Sequence, residues 1–198
     1  FFDKWMVHTL LSKNKMLRRH LPPTYPSNDR AWRRVAENSR VFFVKPVDGS
    51  QGVGIARFAW VKKGTWVYFW VRKGKGTQRG RIQGLRNLLL FRKEYFPENR
   101  YIIQTGIPLA EINGCPFDLR ALLQKGWRGR WQVASRVARV APRKRGLTNL
   151  SRGGTPCTWT TAFQASRLAP DMRTSKRLSA AVRRFALRVA KSLEDALG

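Results

Sequence analysis

An α+β fold is what this sequence predicts, on three observations. Runs of β-branched and aromatic residues, Val41–Pro46 foremost, are cut short by proline or glycine, as buried strands are. Near the end, Leu178, Val182, Phe185, Val189 and Leu193 recur at the spacing of an amphipathic helix. Between these, strand and helix patterns alternate with no internal repeat and no sharply distinct linker.

Residues 3–14 place Trp5, Met6, Leu10 and Leu11 on a helical pattern with Asp3 as its N-cap. Leu21-Pro22-Pro23-Thr24-Tyr25-Pro26 breaks it, because proline cannot continue a helix and disfavours helical geometry in the residue before it. A second helix is expected over Asp29–Asn38, with an acidic cap, and then the strand Val41–Pro46. Strands over 55–61 and Thr65–Arg72 are joined through Lys62-Lys63-Gly64 as a hairpin. Residues 72–81 are basic, polar and Gly-containing and read as a loop, and 82–96 as a helix closed by Pro97. A short strand over 101–104, long strands over 117–124 and Trp131–Val140 about the Gly126/Gly129 turn, and a loop at Gly153-Gly154 precede the final helix. Trp66 and Trp70 alternate on their strand and read as hairpin packing.

With 198 residues, 42% hydrophobic and 12% aromatic, the chain can bury a real core. No run approaches the roughly 18 consecutive apolar residues of a membrane span. The first residues lack a signal-peptide pattern and an initiator Met, and the chain opens directly into helical pattern, so a piece of a longer cytoplasmic polypeptide is expected. Cys115 and Cys157 have no CxxC partner and read as inert thiols, and His8 and His20 as ordinary helix or surface residues.

Charge is the loudest feature of the composition. Forty Lys and Arg against eleven Asp and Glu give +29. No acid lies between Asp48 and Glu94 or between Asp118 and Asp171, and each stretch carries eleven basic residues. Such a field attracts any polyanion, including ATP, an acidic polymer, or nucleic acid without sequence preference. It names a class of partner and no chemistry.

Two local patterns carry chemistry. In Val44-Lys45-Pro46-Val47-Asp48-Gly49-Ser50-Gln51-Gly52-Val53-Gly54-Ile55 a lysine ends a buried strand and three glycines follow before the next strand. Glycines let successive N–H groups point at one anion, and lysine adds a charge for phosphate. The same residues also read as a plain turn with a solvated lysine. The lysine precedes the glycines and no GK[ST] closes the loop, so this is not a Walker loop. In Phe117-Asp118-Leu119-Arg120, alternation puts Asp118 and Arg120 on one sheet face. Arg136, Arg139, Asn149 and Arg152 follow. The set reads either as a structural Asp–Arg pair or as an arginine clamp for phosphate.

Asp3-Lys4-Trp5, Leu21-Pro22-Pro23-Thr24, VKPVDGSQGVGI, YIIQTGI, FDLR and TNLSRGG stand here in the order and spacing of ATP-grasp proteins. The pattern resembles the spore-coat-associated YheC/YheD branch and is similar to the ribosomal-protein glutamate ligases. The resemblance implies two lobes around a nucleotide cleft, over 1–100 and 101–198, the second incomplete. It implies ATP contacts from Lys4 and Lys45, and a phosphate-covering loop of Gly49, Ser50, Gln51, Gly52 and Gly54. The adenine hinge would be Gln104, Thr105, Gly106 and Ile107, and Asp118 a nucleotide-contacting acid. Arg120 and Arg139 would be the basic residues near the transferred phosphoryl group, and Asn149 the catalytic asparagine of the NL-x-GG loop. In such proteins a carboxylate is phosphorylated by ATP and an amine then attacks the acyl phosphate.

The resemblance also implies Mg²⁺ held by an acid and an E-x-N pair on strands beyond the helix that ends here at Gly198. No metal ligand is assigned in this chain, and Glu194 and Asp195 are expected on the exposed side of the last helix. A ligase with unknown carboxylate and amine substrates, active only in a longer parent, is the function implied. Its rivals are a spore-coat structural protein with a vestigial ATP-grasp fold and a basic nucleic-acid-binding protein. The dispersion of the basic residues and the lack of any recognisable RNA or DNA module weigh against the latter.

Overall fold

A computed structural model describes residues 3–49, 52–62, 64–142 and 153–198. It is a mixed α+β structure with two antiparallel sheets, divided into two compact units at Ile107/Pro108.

The first unit contains α1 (Lys4–Lys13), α2 (Lys15–Arg18), β1 (Thr24–Pro26), α3 (Asp29–Asn38), β2 (Val41–Pro46), β3 (Ala56–Lys62), β4 (Thr65–Arg72), β5 (Gly76–Gln83), α4 (Leu85–Tyr95) and β6 (Tyr101–Thr105). Its sheet runs β1-β6-β2-β3-β4-β5, so β6 sits between β1 and β2. The strand read as the opening of the second lobe is therefore internal to the first unit's sheet. Asp3 caps α1 by accepting from the N–H groups of Trp5 and Met6. Asn28, not the acidic Asp29, caps α3, its carboxamide oxygen accepting from Ala31 N–H at 2.9 Å. Asp29 instead occupies the first helical turn, where it pairs with Arg92 of α4.

One face of this sheet packs on α3 and α4. Phe42, Phe58 and Trp70 from the strands meet Trp32 of α3, Leu88 of α4 and Phe96. Trp32 is fully buried, edge-on to Phe42 and Phe58 and stacked on Phe96, and its indole N–H donates to Ser27 Oγ at 2.8 Å. Such an acceptor offsets the cost of burying the indole N–H. Trp66 and Trp70 are buried hairpin residues.

The loop expected over 72–81 is largely strand. Residues of β5 pair with β4 from Arg72↔Gly76 to Thr65↔Gln83. Ile82, read as the start of a helix, belongs to β5, and α4 begins at Leu85. The pattern is hidden because the core-facing positions of this edge strand are Gln78, Gly80 and Ile82. A Cβ on Gly80 would lie 2.6 Å from the Tyr68 ring, so the glycine makes room for that ring. Gln78 in turn donates to the Tyr68 hydroxyl at 3.1 Å.

The second unit holds β7 (Glu111–Ile112), β8 (Cys115–Lys125), β9 (Trp131–Val140), β10 (Thr155–Cys157), α5 (Trp159–Ala165) and α6 (Met172–Leu197), with sheet order β10-β9-β8-β7. Phe117, Leu119, Ala138 and Val140 pack against Trp159 and Phe163 of α5 and Leu178 and Val182 of α6. Asp171 caps α6 through the Thr174 N–H at 2.8 Å. Glu194 does not lie on the exposed side of that helix. It accepts from Trp131 Nε1 at 3.0 Å and pairs with Lys125, tying α6 to the β8–β9 hairpin, whereas Asp195 is exposed. Both cysteines are free and half-buried. Among the described residues, no helix is long and apolar enough to cross a membrane.

Candidate functional site

In the first unit, Lys45 sits near the end of β2, paired with Ile102 of β6. Its ammonium donates to Gln104 Oε1 at 2.5 Å. Gln104 Nε2 donates to Thr24 Oγ1 at 2.8 Å, and Thr24 donates to Pro22 O at 2.9 Å. Lysine offers only donors, so it fixes the orientation of the Gln104 amide, and Thr24 completes the chain. Thr24 stands in one of the sequence motifs but drew no role there, because its partner lies 80 residues away.

Beyond Lys45 the backbone turns at Gly49, Gly52 and Gly54, with φ of +90°, +78° and +78°. These are left-handed conformations that favour glycine. A Cβ at Gly54 would also lie 2.7 Å from Pro46 Cγ. Ser50 and Gln51 lie outside the described residues.

Lys4 is brought to the same loop. Its ammonium donates to Asp48 O at 3.1 Å and Gly49 O at 3.0 Å, with Val47 O at 3.5 Å, while its N–H donates to Val47 O at 2.8 Å. Partial burial lowers its pKa, opposed by Asp48 and Asp3. Here Lys4 holds the loop's carbonyls.

The expected hinge takes in the last two residues of β6 and the two that follow. Thr105 N–H donates to Pro23 O at 2.9 Å and Gly106 N–H to Val41 O at 2.8 Å. Ile107 is exposed, and among the described residues its N–H donates to no backbone carbonyl. A Cβ on Gly106 would meet Val41 O and Cγ1 at 2.9 Å, so glycine lets the segment press onto β2.

In the second unit, Asp118 faces Arg139 across the β8–β9 ladder. Arg139 donates from Nε to Oδ1 at 2.8 Å and from Nη2 to Oδ2 at 2.5 Å, a bidentate pair. Arg120, two residues along the same face, brings Nε to 3.9 Å from Asp118 Oδ1. Burial, and then the like charge of Arg139, hold Arg120 below the usual guanidinium range, opposed by Asp118. Two cations share one carboxylate, and Arg120 is the more exposed of them, its side chain 60% accessible against 12% for Arg139. That arrangement can receive an anion. Arg136 is not part of it. It pairs with Ala121 on the helix-facing side and reaches Ser179 of α6. Asn149 and Arg152 lie outside the described residues. Among the described residues, no group of three or more His, Cys, Asp or Glu side chains is placed to hold a metal.

The chain is similar to the endospore coat-associated protein YheD of Bacillus subtilis (strain 168), 29% identical over 183 residues. The matched region is 91% of this chain and 40% of that protein, so the chain spans less than half of its relative's length. The family model described as "YheC/D like ATP-grasp" matches residues 1–198, the whole chain. The protein belongs to the YheC/D-like ATP-grasp family.

Proposed function

We propose that this chain binds ATP through its first unit, as the nucleotide-binding part of an ATP-dependent carboxylate–amine ligase. The observation that carries the proposal is the setting of Lys45. Its ammonium is oriented by Gln104, three residues before the exposed Ile107, and Lys45 leads into a turn that glycines let approach a ligand closely. These residues fit a nucleoside triphosphate. The turn at Gly49 and Gly52 offers backbone N–H groups and Lys45 a charge for the phosphates, whereas the Gly54 N–H is bonded to Val71 O. Ile107 N–H faces the base edge, since the N–H groups of Thr105 and Gly106 are already used within the protein. Lys4 holds the loop in place through its carbonyls and is drawn toward phosphate from that position.

The Asp118–Arg139–Arg120 group of the second unit is a candidate contact for an anion. Arg139 is oriented by its bidentate partner and Arg120 is offered to the anion. The described residues do not fit a magnesium site. Both oxygens of Asp118 are engaged by Arg139, Glu194 is engaged by Lys125 and Trp131, and no acidic cluster converges elsewhere among them. Nothing in the proposal is therefore assigned to a metal. The substrates are a carboxylate and an amine whose identity lies outside these residues.

Thermal unfolding with ATP, GTP or tripolyphosphate at moderate salt tests the proposal. Ligand at 100 times its Kd stabilises by about 2.7 kcal/mol. Selective stabilisation by ATP, lost in Lys45→Ala, is expected. An equal response to all three ligands would mean that the +29 charge is enough and would overturn the nucleotide site.

A further inference from the structure

Strand register on the first unit's sheet aligns one row of side chains across five strands. Gln104 of β6 opposes Phe43 of β2, Phe43 opposes Arg57 of β3, Arg57 opposes Phe69 of β4, and Phe69 opposes Arg79 of β5. Directly opposed residues share a face, and this one is opposite the face on which Phe42, Phe58 and Trp70 pack against α3 and α4. Lys45, two residues from Phe43, is on it too. It is a diagonal neighbour of Arg57, a separation of about 7–8 Å between backbones that long side chains close.

The cations of this face are not in equivalent states. Lys45 is bonded to Gln104 and lies over the Phe43 ring at 5.5 Å. Arg79 lies over the Phe69 ring at 5.4 Å. Arg57, between the two rings, is half-buried, and among the described residues it has no hydrogen bond, ion pair or ring contact. Burial lowers its pKa, and no other group contributes a resolved effect. A cation partly withdrawn from water with no anion beside it is unfavourable unless something else supplies the charge. Its guanidinium fork matches the oxygens of a phosphate in a way a lysine does not.

We infer that Arg57 is a polyphosphate-binding residue, reaching along the open sheet face to share with Lys45 the phosphates of the bound nucleotide. The inference rests on the proposed ATP site and adds a contact from a residue that belongs to none of the motifs.

The experiment measures Kd for ATP and for adenosine by calorimetry on wild type, Arg57→Met and Arg57→Lys. Losing a charge-assisted hydrogen bond predicts ATP affinity weaker by about 10-fold or more in Arg57→Met, with adenosine within about twofold. Arg57→Lys should recover part of the loss. On the wild-type protein, ATP but not adenosine should shield Arg57 from phenylglyoxal, read by mass spectrometry, which keeps the test independent of how the variants fold. If wild type binds ATP but neither the variants' affinity nor the labelling of Arg57 responds, the inference is overturned and the ATP site stands. Equal weakening of ATP and adenosine would also overturn it. If wild type shows no ATP binding, the site and the inference fall together.

Discussion

Replacing Gly106 by alanine tests how closely the connector after β6 must press on β2. The φ of Gly106 is not in the left-handed region, so alanine's backbone is permitted and the effect comes from space. The new Cβ would stand 2.9 Å from Val41 O and Cγ1 and 3.1 Å from Val41 Cβ, inside ordinary contact. One of these atoms is backbone in a central strand, and it also accepts the Gly106 N–H bond, so relief must loosen that bond. Overpacking of this kind costs about 1–3 kcal/mol, and Gly→Ala restores about 0.4–1 kcal/mol through the unfolded chain. A net loss of about 1–2 kcal/mol follows, or about 0.5–1 M in the urea midpoint at a typical slope. Hydrogen exchange should place the lost protection at the β2–β6 amides. Gly126→Ala is the control. Its Cβ would meet only the exposed Gln132 side chain, 3.3 Å away, which can move aside. If Gly106→Ala is as stable as that control, the close approach does not constrain the connector.

Two further outcomes follow from the packing. Glu194, held at about 2 by its bond from Lys125 and then that from Trp131, has a depressed folded-state pKa. Its contribution is present above its ordinary value of 4.5 and is lost as pH falls toward 2. Glu194→Gln should therefore lower the Tm of the second unit at pH 7, with the gap to wild type closing between those values; a gap independent of pH would contradict the pairing. Trp32→Ala removes a fully buried indole from three ring contacts and should cost about 3–5 kcal/mol, read by urea unfolding of the first unit. A loss below about 1 kcal/mol would mean that the cluster collapses around the cavity.

Elements whose own side chains repeat with a clear period were legible in the sequence. Helix α3, strand β2 and the apolar stripe of α6 are of this kind, because each carries its burial pattern within a short window. Strand β5 was not, since its inward positions are a glutamine, a glycine and one isoleucine, and the pattern makes sense only beneath Tyr68. Strand β1 has three residues, follows Pro23 and ends on Pro26, and exists because β6 pairs with it. The turn glycines and Lys45 stand out in a linear reading, whereas the link from Lys45 through Gln104 to Thr24 depends on three strands meeting. Arg57 drew no notice for the same reason. In the chain it is one basic residue among forty, and its meaning comes from the rings that register sets on either side.

Hydrogen–deuterium exchange with and without ATP, at a salt concentration that suppresses non-specific polyanion binding, tests the central claim most directly. An ATP site in the first unit predicts protection centred on the end of β2 and the following glycine turn, together with the connector at 104–107, and none of it in Lys45→Ala. Protection spread over basic surfaces, or the same with tripolyphosphate as with ATP, would contradict it.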